Sequence, residues 1–243
     1  MRRLFALTLL LTVAASAMAQ VGLKVSLQNN HLWRGMEVAD GLVVLTDATC
    51  TFAGGHLSAG LWGGTNTRGT YKELNHCLRF QTGGFQLQLS DTYNFSPGAD
   101  YNNHEYFNYK ARTTGRFLDC TASYRLSRRW PLQLSWATIL FGRDRGAANT
   151  HQRYSTFCLV EAPVWKNDDW TVEAGVGGAF ALSPAQGEKS HFYGTSAGIV
   201  HLTLALSRTL HLGSYDLPLW VRGQWNPQSQ QAYLQLGAEV LRF

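Results

Sequence analysis

Gly84–Phe95 reads GFQLQLSDTYNF, with Phe85, Leu87, Leu89 and Tyr93 at alternate positions and Gln86, Gln88, Ser90, Thr92 and Asn94 between them. Successive side chains of a strand point to opposite faces, so a period of two marks an extended segment with one apolar and one polar face. In FLDCTASYRL the apolar face is Leu118, Cys120, Ala122, Tyr124 and Leu126, and the other carries Asp119, Thr121, Ser123 and Arg125. DWTVEAGVGGAF sets Trp170, Val172, Ala174, Val176 and Phe180 against Thr171 and Glu173. The chain closes on AYLQLGAEVLRF, where Leu234, Leu236, Ala238 and Val240 alternate with Tyr233, Gln235 and Glu239.

Breaking such runs at turn-forming residues predicts twelve strands, near 22–35, 42–53, 56–66, 71–82, 84–95, 116–127, 132–142, 153–164, 169–181, 193–207, 216–226 and 230–242. Most exceed the usual five or six residues of a globular strand and match the roughly 9–11 needed to cross a bilayer at a tilt. No helix-period segment of useful length remains. Short links at 53–56, 82–84, 127–131 and 165–169 alternate with longer ones at 96–115, 142–152 and 183–194. Bacterial membrane barrels pair short periplasmic turns with longer outer loops and use an even number of strands. RTLHLGSYD, 208–216, is longer than that pattern wants on its side, and HEYFNYKAR is assigned to the large third outer loop.

Residues 1–19, MRRLFALTLLLTVAASAMA, carry two arginines, an apolar run too short to span a bilayer and a small-residue site, the build of a secretory signal peptide. Residues 20–243 then make one domain, and loss of Arg2 and Arg3 lowers the formal charge from +5 to +3. That residue of charge is too small and scattered to point to nucleic acid.

A soluble β-sandwich also alternates, but buries its apolar face in a core with shorter strands. The polar faces here collect Lys24, Asp47, Glu73, Arg79, Asp119, Arg125, Arg153, Glu161, Glu173, Arg222 and Glu239, many at mid-strand. Lining a wet lumen, such charges can pair while the apolar face meets lipid, and closure removes edges that lipid would leave unpaired. The sequence therefore predicts an all-β fold, a closed antiparallel up-and-down transmembrane β-barrel of about 12 strands. Aromatics near strand ends (Trp33, Trp62, Tyr71, Tyr93, Trp130, Trp165, Trp170, Tyr193, Trp220 and Trp225) are expected to form girdles where lipid meets water.

Chemistry-bearing residues are sparse. Cys50, Cys77, Cys120 and Cys158 fall on strands two, four, six and eight, too far apart for bridges, so free thiols are expected. Ser190-His191 beside Glu188, and His201 near Ser196 and Thr203, are the nearest approach to a hydrolytic constellation, but neighbours in sequence are not a triad. Asp100, Asp144, Glu188 and Asp216 lack the spacing of a calcium cage and read as solvated loop charges. Neither catalytic residues nor a cofactor or metal is expected.

NNHLWRGMEVADG, Asn29–Gly41, resembles the opening of small porins of the TorF-like type, whose first strand ends in an aromatic-Arg-Gly step; Trp33, Arg34 and Gly35 match it. PLQLSWATILFG (131–142) and YSTFCLVEAPV (154–164) are similar in style to Gram-negative outer-membrane barrels. The resemblance implies an outer-membrane protein with lipid, the barrel-assembly machinery and small polar solutes or ions as partners. It also implies that Phe243 is an assembly signal. The expectation is a porin-like channel; the alternatives are a lipid-modifying hydrolase or acyltransferase and a closed structural or adhesive barrel.

Overall fold

The computed structural model describes residues 20–127 and 129–243; the segment read as a signal peptide lies outside them. Twelve strands follow one another as β1 (Gln20–Trp33), β2 (Met36–Phe52), β3 (Leu57–Asn66), β4 (Lys72–Thr82), β5 (Phe85–Asn94) and β6 (Phe117–Arg125), then β7 (Gln133–Gly142), β8 (Ser155–Lys166), β9 (Trp170–Ala181), β10 (Gly198–Leu212), β11 (Tyr215–Asn226) and β12 (Gln231–Arg242). Each pairs antiparallel with its chain neighbours, and β1 pairs with β12 to close the barrel. HEYFNYKAR contributes no strand.

Three boundaries differ from the sequence reading by five residues or more, the start of β2 and both ends of β10, which begins at Gly198 because 193–197 stay with the preceding loop. β2 begins at Met36, so no first loop exists: β1 and β2 are joined by a two-residue turn in which Arg34 and Gly35 both have positive φ (47° and 88°). Such a turn matches the right-handed twist of a hairpin. RTLHLGSYD is not a loop, because β10 runs on to Leu212 and leaves only Gly213 and Ser214 before β11. Arg208 takes an outer-face position with its guanidinium 5.0 Å from the Trp170 ring, and His211 meets Asp216 at 2.6 Å. Charged side chains that are laterally paired can thus continue a strand where the apolar alternation stops.

The exterior is apolar. Leu61, Leu78, Trp136, Val160, Leu204 and Leu234 are all exposed, each on its strand's outward positions. Buried residues between the walls are largely polar, including Gln28, Gln224 and Gln235; the Gln235 amide donates to Gln28 at 2.6 Å. Opposite charges and amides fill the interior where a soluble barrel would put aliphatic side chains.

The pairing of β12 also explains why its alternation breaks after Val240, where apolar Leu241 follows directly. Val25 lies opposite Leu241 and Ser26 opposite Glu239, so Val240 is an extra residue in the ladder. A bulge of this kind reverses the facing of everything beyond it. Leu234, Leu236, Leu241 and Phe243 are therefore all exposed, while the Glu239 side chain is largely shielded. Phe243 completes the seam, exchanging backbone hydrogen bonds with Leu23 at 3.0 and 3.1 Å. Deleting Val240 removes the extra residue and leaves Leu241 opposite Val25 and Phe243 on the outer face by plain alternation. The shortened chain should therefore keep its heat-modifiable gel mobility, while a chain lacking Phe243 should lose much of it; loss of the shift on deleting Val240 would contradict its reading as the extra residue of the ladder.

Candidate functional site

β1 leaves the barrel wall at Asn29. Its pairing with β12 ends at Gln28, and the Asn29 side chain takes over, donating to the Leu234 carbonyl (3.0 Å) and accepting from the Leu236 N–H (2.6 Å). Two irregularities in the β1–β2 ladder, between Gln28 and Asn30 and between His31 and Leu32, follow directly. Bulges bend and twist a ribbon, and here the hairpin tip packs among residues of the opposite wall. Gly35 sits against β10 so closely that a Cβ would lie 2.0 Å from the Val200 carbonyl, and Asn226 donates to the Gly35 carbonyl at 3.0 Å. With its positive φ as well, position 35 accepts only glycine without displacement.

The tip carries Arg34 to β6, five strands away around the barrel in one direction and seven in the other. Its guanidinium grips Asp119 with two bonds, Nη1 to Oδ2 at 2.6 Å and Nη2 to Oδ1 at 2.8 Å. Nη1 also donates to the Tyr193 hydroxyl (2.6 Å) and Nη2 to Thr121 (3.0 Å). Trp33, Tyr193 and Phe157 lie 4.7, 5.6 and 5.8 Å from the guanidinium carbon. Both partners are shielded, with side-chain exposures of 12% and 7%. Fork-on-fork geometry and aromatic faces are what Arg supplies and Lys would not.

An apolar cluster surrounds the latch: Phe117, Ile139, Phe157, Ala179, Tyr193 and Val200, with Trp33, Met36, Leu159 and Phe192 against it. Phe192 and Tyr193 come from the 182–197 loop, which is drawn inward by a second network. Asp144, fully buried, accepts from the Ser155 N–H and hydroxyl (both 2.7 Å) and from Arg153 (3.2 Å); the Ser155 hydroxyl accepts from the Phe192 N–H at 2.9 Å. Asp144 is thus a structural anchor and not a solvated loop charge. Burial pushes the Tyr193 phenol well above its usual range, more than the neighbouring Arg34 lowers it, so it stays protonated beside the latch.

Beside the hairpin tip lies a cavity of about 930 Å³ lined by residues of β1–β6, by Ser96–Tyr101 of the third loop and by Arg143, Arg153, His191 and Phe192 of the later loops. The rest of that loop lies against the barrel's outer face, where Arg116 pairs with Asp91 at 2.7 Å and stands 4.7–5.0 Å from the rings of Tyr106, Tyr93 and Tyr109. A second cavity of about 610 Å³ opens at the turn end, lined by Gly54–His56, Gln81–Gln86, Ser123, Arg125 and Gln133.

Of the charged residues singled out from the sequence, Asp47, Glu73, Arg79, Asp119 and Arg153 line the larger cavity and Arg125 the smaller. Arg153 precedes β8 and reaches Glu188 at 3.4 Å as well as Asp144. Arg125, Gln133 and Glu161 form a hydrogen-bonded row at 3.0 and 3.1 Å. Glu173 and Arg222 both stand opposite Ala205. Lys24 stands opposite Asp47 and Arg242, the latter paired with Glu239. Arg34 and Arg143, central to this interior, escaped that reading because a turn and a loop have no alternation to reveal which way a side chain faces.

Several girdle aromatics lie inside instead. Trp33, Trp62 and Tyr193 face the cavity or its plug, Tyr71 is buried near His31, and Trp220 covers Gly237 and donates to Gln235 at 3.3 Å. Trp130, Trp165 and Trp225 are exposed outside. All four cysteines are free, and Cys77 lines the cavity 3.6 Å from the Ser90 hydroxyl. The Ser190 hydroxyl is engaged by Glu188 and Arg153, while His191 donates from Nε2 to the Ser196 carbonyl (2.8 Å) and accepts at Nδ1 from the Tyr193 N–H (3.2 Å). Burial lowers the proton affinity of His191, in keeping with a neutral ring whose nitrogens are both committed. His201 packs on Phe157 with its Nδ1 unpartnered. These side chains form no nucleophile–base pair.

No family model and no curated protein matches the chain. Among solved structures, an outer membrane channel from Pseudomonas putida F1 aligns with a TM-score of 0.45 and 11% identity, covering 91% of this chain and 94% of the other. A bacterial polysaccharide outer membrane secretin aligns with a TM-score of 0.40 and 10% identity over 91% of this chain and 96% of that one.

Removing one partner of a buried ion pair strands the other, at a cost of about 3–5 kcal/mol, whereas replacing both by apolar side chains costs far less. Arg34→Ala or Asp119→Ala should therefore abolish amide-exchange protection in residues 31–38 while strands β3–β9 keep theirs, and Arg34→Met with Asp119→Leu should restore much of it. Unchanged protection in both single variants would contradict the latch.

Proposed function

We propose that the chain is an outer-membrane β-barrel of a Gram-negative bacterium, exported through its amino-terminal segment and serving as a narrow porin-like channel for ions or small polar solutes. The observation that carries this reading is the inverted distribution of polarity: a closed barrel with an apolar exterior and a charged, amide-rich interior. An aqueous exterior would leave that belt of leucines, valines and tryptophans unburied, whereas lipid buries it and requires the closure seen at β1–β12. Both described ends of the chain lie at the short-turn end of the barrel, which is then periplasmic, and the loops 95–116, 143–154 and 182–197 face outward. Lys24, Asp47, Glu73, Arg79, Asp119, Arg125, Arg153, Glu161, Glu173, Arg222 and Glu239 line the path in this reading, and Phe243 presents the last strand to the assembly machinery.

Twelve strands enclose less space than the 16–18 of open porins, and the β1–β2 hairpin takes up part of what there is. In planar bilayers the refolded protein should give small, reproducible single-channel steps, and Asp119→Asn, which loosens the hairpin, should give larger ones. Absence of steps from both proteins would overturn the channel reading in favour of a closed structural or adhesive barrel.

A further inference from the structure

Arg143 and Glu73 are opposite charges that line the same cavity and do not meet. Arg143 follows β7 directly, and its guanidinium carbon lies over three rings, Tyr101 at 3.9 Å, Phe192 at 5.1 Å and Phe117 at 5.2 Å. Rings cover the faces of a guanidinium and leave its in-plane N–H donors unserved. Among the described residues no carboxylate comes within 4.0 Å of it and no hydrogen bond engages it; its Nε is buried without a partner. Glu73 accepts from neutral donors, the amides of Asn75 (2.8 Å) and Asn94 (3.1 Å), and among the described residues makes no ion pair within 4.0 Å.

The other cavity charges narrow what could satisfy both. Arg34 and Arg153 are neutralised by Asp119 and by Asp144 and Glu188, so they offer nothing to a solute. A simple anion drawn to Arg143 would face Glu73, and the Asp47 and Glu37 carboxylates that share the cavity. A simple cation drawn to Glu73 would face Arg143, and Arg79, whose Nε is bonded only to Gln88. A molecule with both charges meets neither repulsion. The volume of about 930 Å³ is within the usual range for small-molecule sites, and Trp33 and Trp62 add apolar wall.

We propose that this cavity binds a small zwitterionic solute, its carboxylate in the plane of the Arg143 guanidinium and its ammonium group against Glu73. The inference names a solute class for the channel reading and rests on it for its biological meaning, but binding at equilibrium does not require conduction. Full-length refolded protein in detergent would be titrated by calorimetry with L-phenylalanine, N-acetyl-L-phenylalanine and L-phenylalaninamide, which share a body and differ in charge. The zwitterion should bind about tenfold more tightly than either derivative, the equivalent of about 1.4 kcal/mol. Glu73→Gln should erase the preference over the N-acetyl compound and Arg143→Gln the preference over the amide, in variants that retain heat-modifiable mobility. Equal binding of all three probes, or saturable binding of none, overturns the proposal. Single-channel steps without such binding would sink the zwitterion site alone, and binding without steps would sink the channel reading alone.

Discussion

The interior of this barrel is organised by one ion pair, Arg34 with Asp119, made between a hairpin tip and the wall on the other side. A two-stranded ribbon has little stability of its own, and one that bends into a polar lumen must be held at its end. Bidentate hydrogen bonding, three flanking rings and the close seat of Gly35 on Val200 supply that hold. The second network, Asp144 with Ser155 and Arg153, draws Phe192 and Tyr193 down onto the same spot, so hairpin and loop stabilise one another.

Strand bulges do the geometric work. At β12 a single extra residue, Val240, turns Leu241 and Phe243 outward and keeps the apolar outer face continuous through Phe243. In the β1–β2 hairpin two irregularities accompany departure from the wall, and Asn29 replaces the lost backbone ladder with its side-chain amide. The same device serves closure in one place and plugging in another.

Alternation made the fold legible: GFQLQLSDTYNF and its counterparts give ten of the twelve strands to within about two residues of their observed ends, because a wall with one apolar and one polar face demands strict period two. It failed where pairing, not polarity, decides. Met36–Gly41 joined β2 although Glu37 and Asp40 look like a loop, and Arg208–Leu212 joined β10 through contacts with Trp170 and Asp216 that sequence spacing does not display. The interior was half legible for a similar reason. Asp119 stood out as a charge on a strand's polar face, but its partner Arg34 belongs to a turn, and a turn's direction depends on bulges several residues away. Trp33 and Trp62 have the chemistry of rim aromatics and are inside because the hairpin and the polar wall needed rings there.

Cys77 offers the most direct test of a latched plug, since it lines the cavity while the remaining three cysteines can be replaced by alanine. A charged, membrane-impermeant methanethiosulfonate added outside intact cells should modify Cys77 slowly in the otherwise unaltered barrel and at least about tenfold faster when Asp119→Asn frees Arg34, the ratio expected if the latch holds the closed arrangement by about 1.4 kcal/mol or more. Equal rates in the two proteins would contradict the claim that the Arg34–Asp119 pair keeps the hairpin across the lumen.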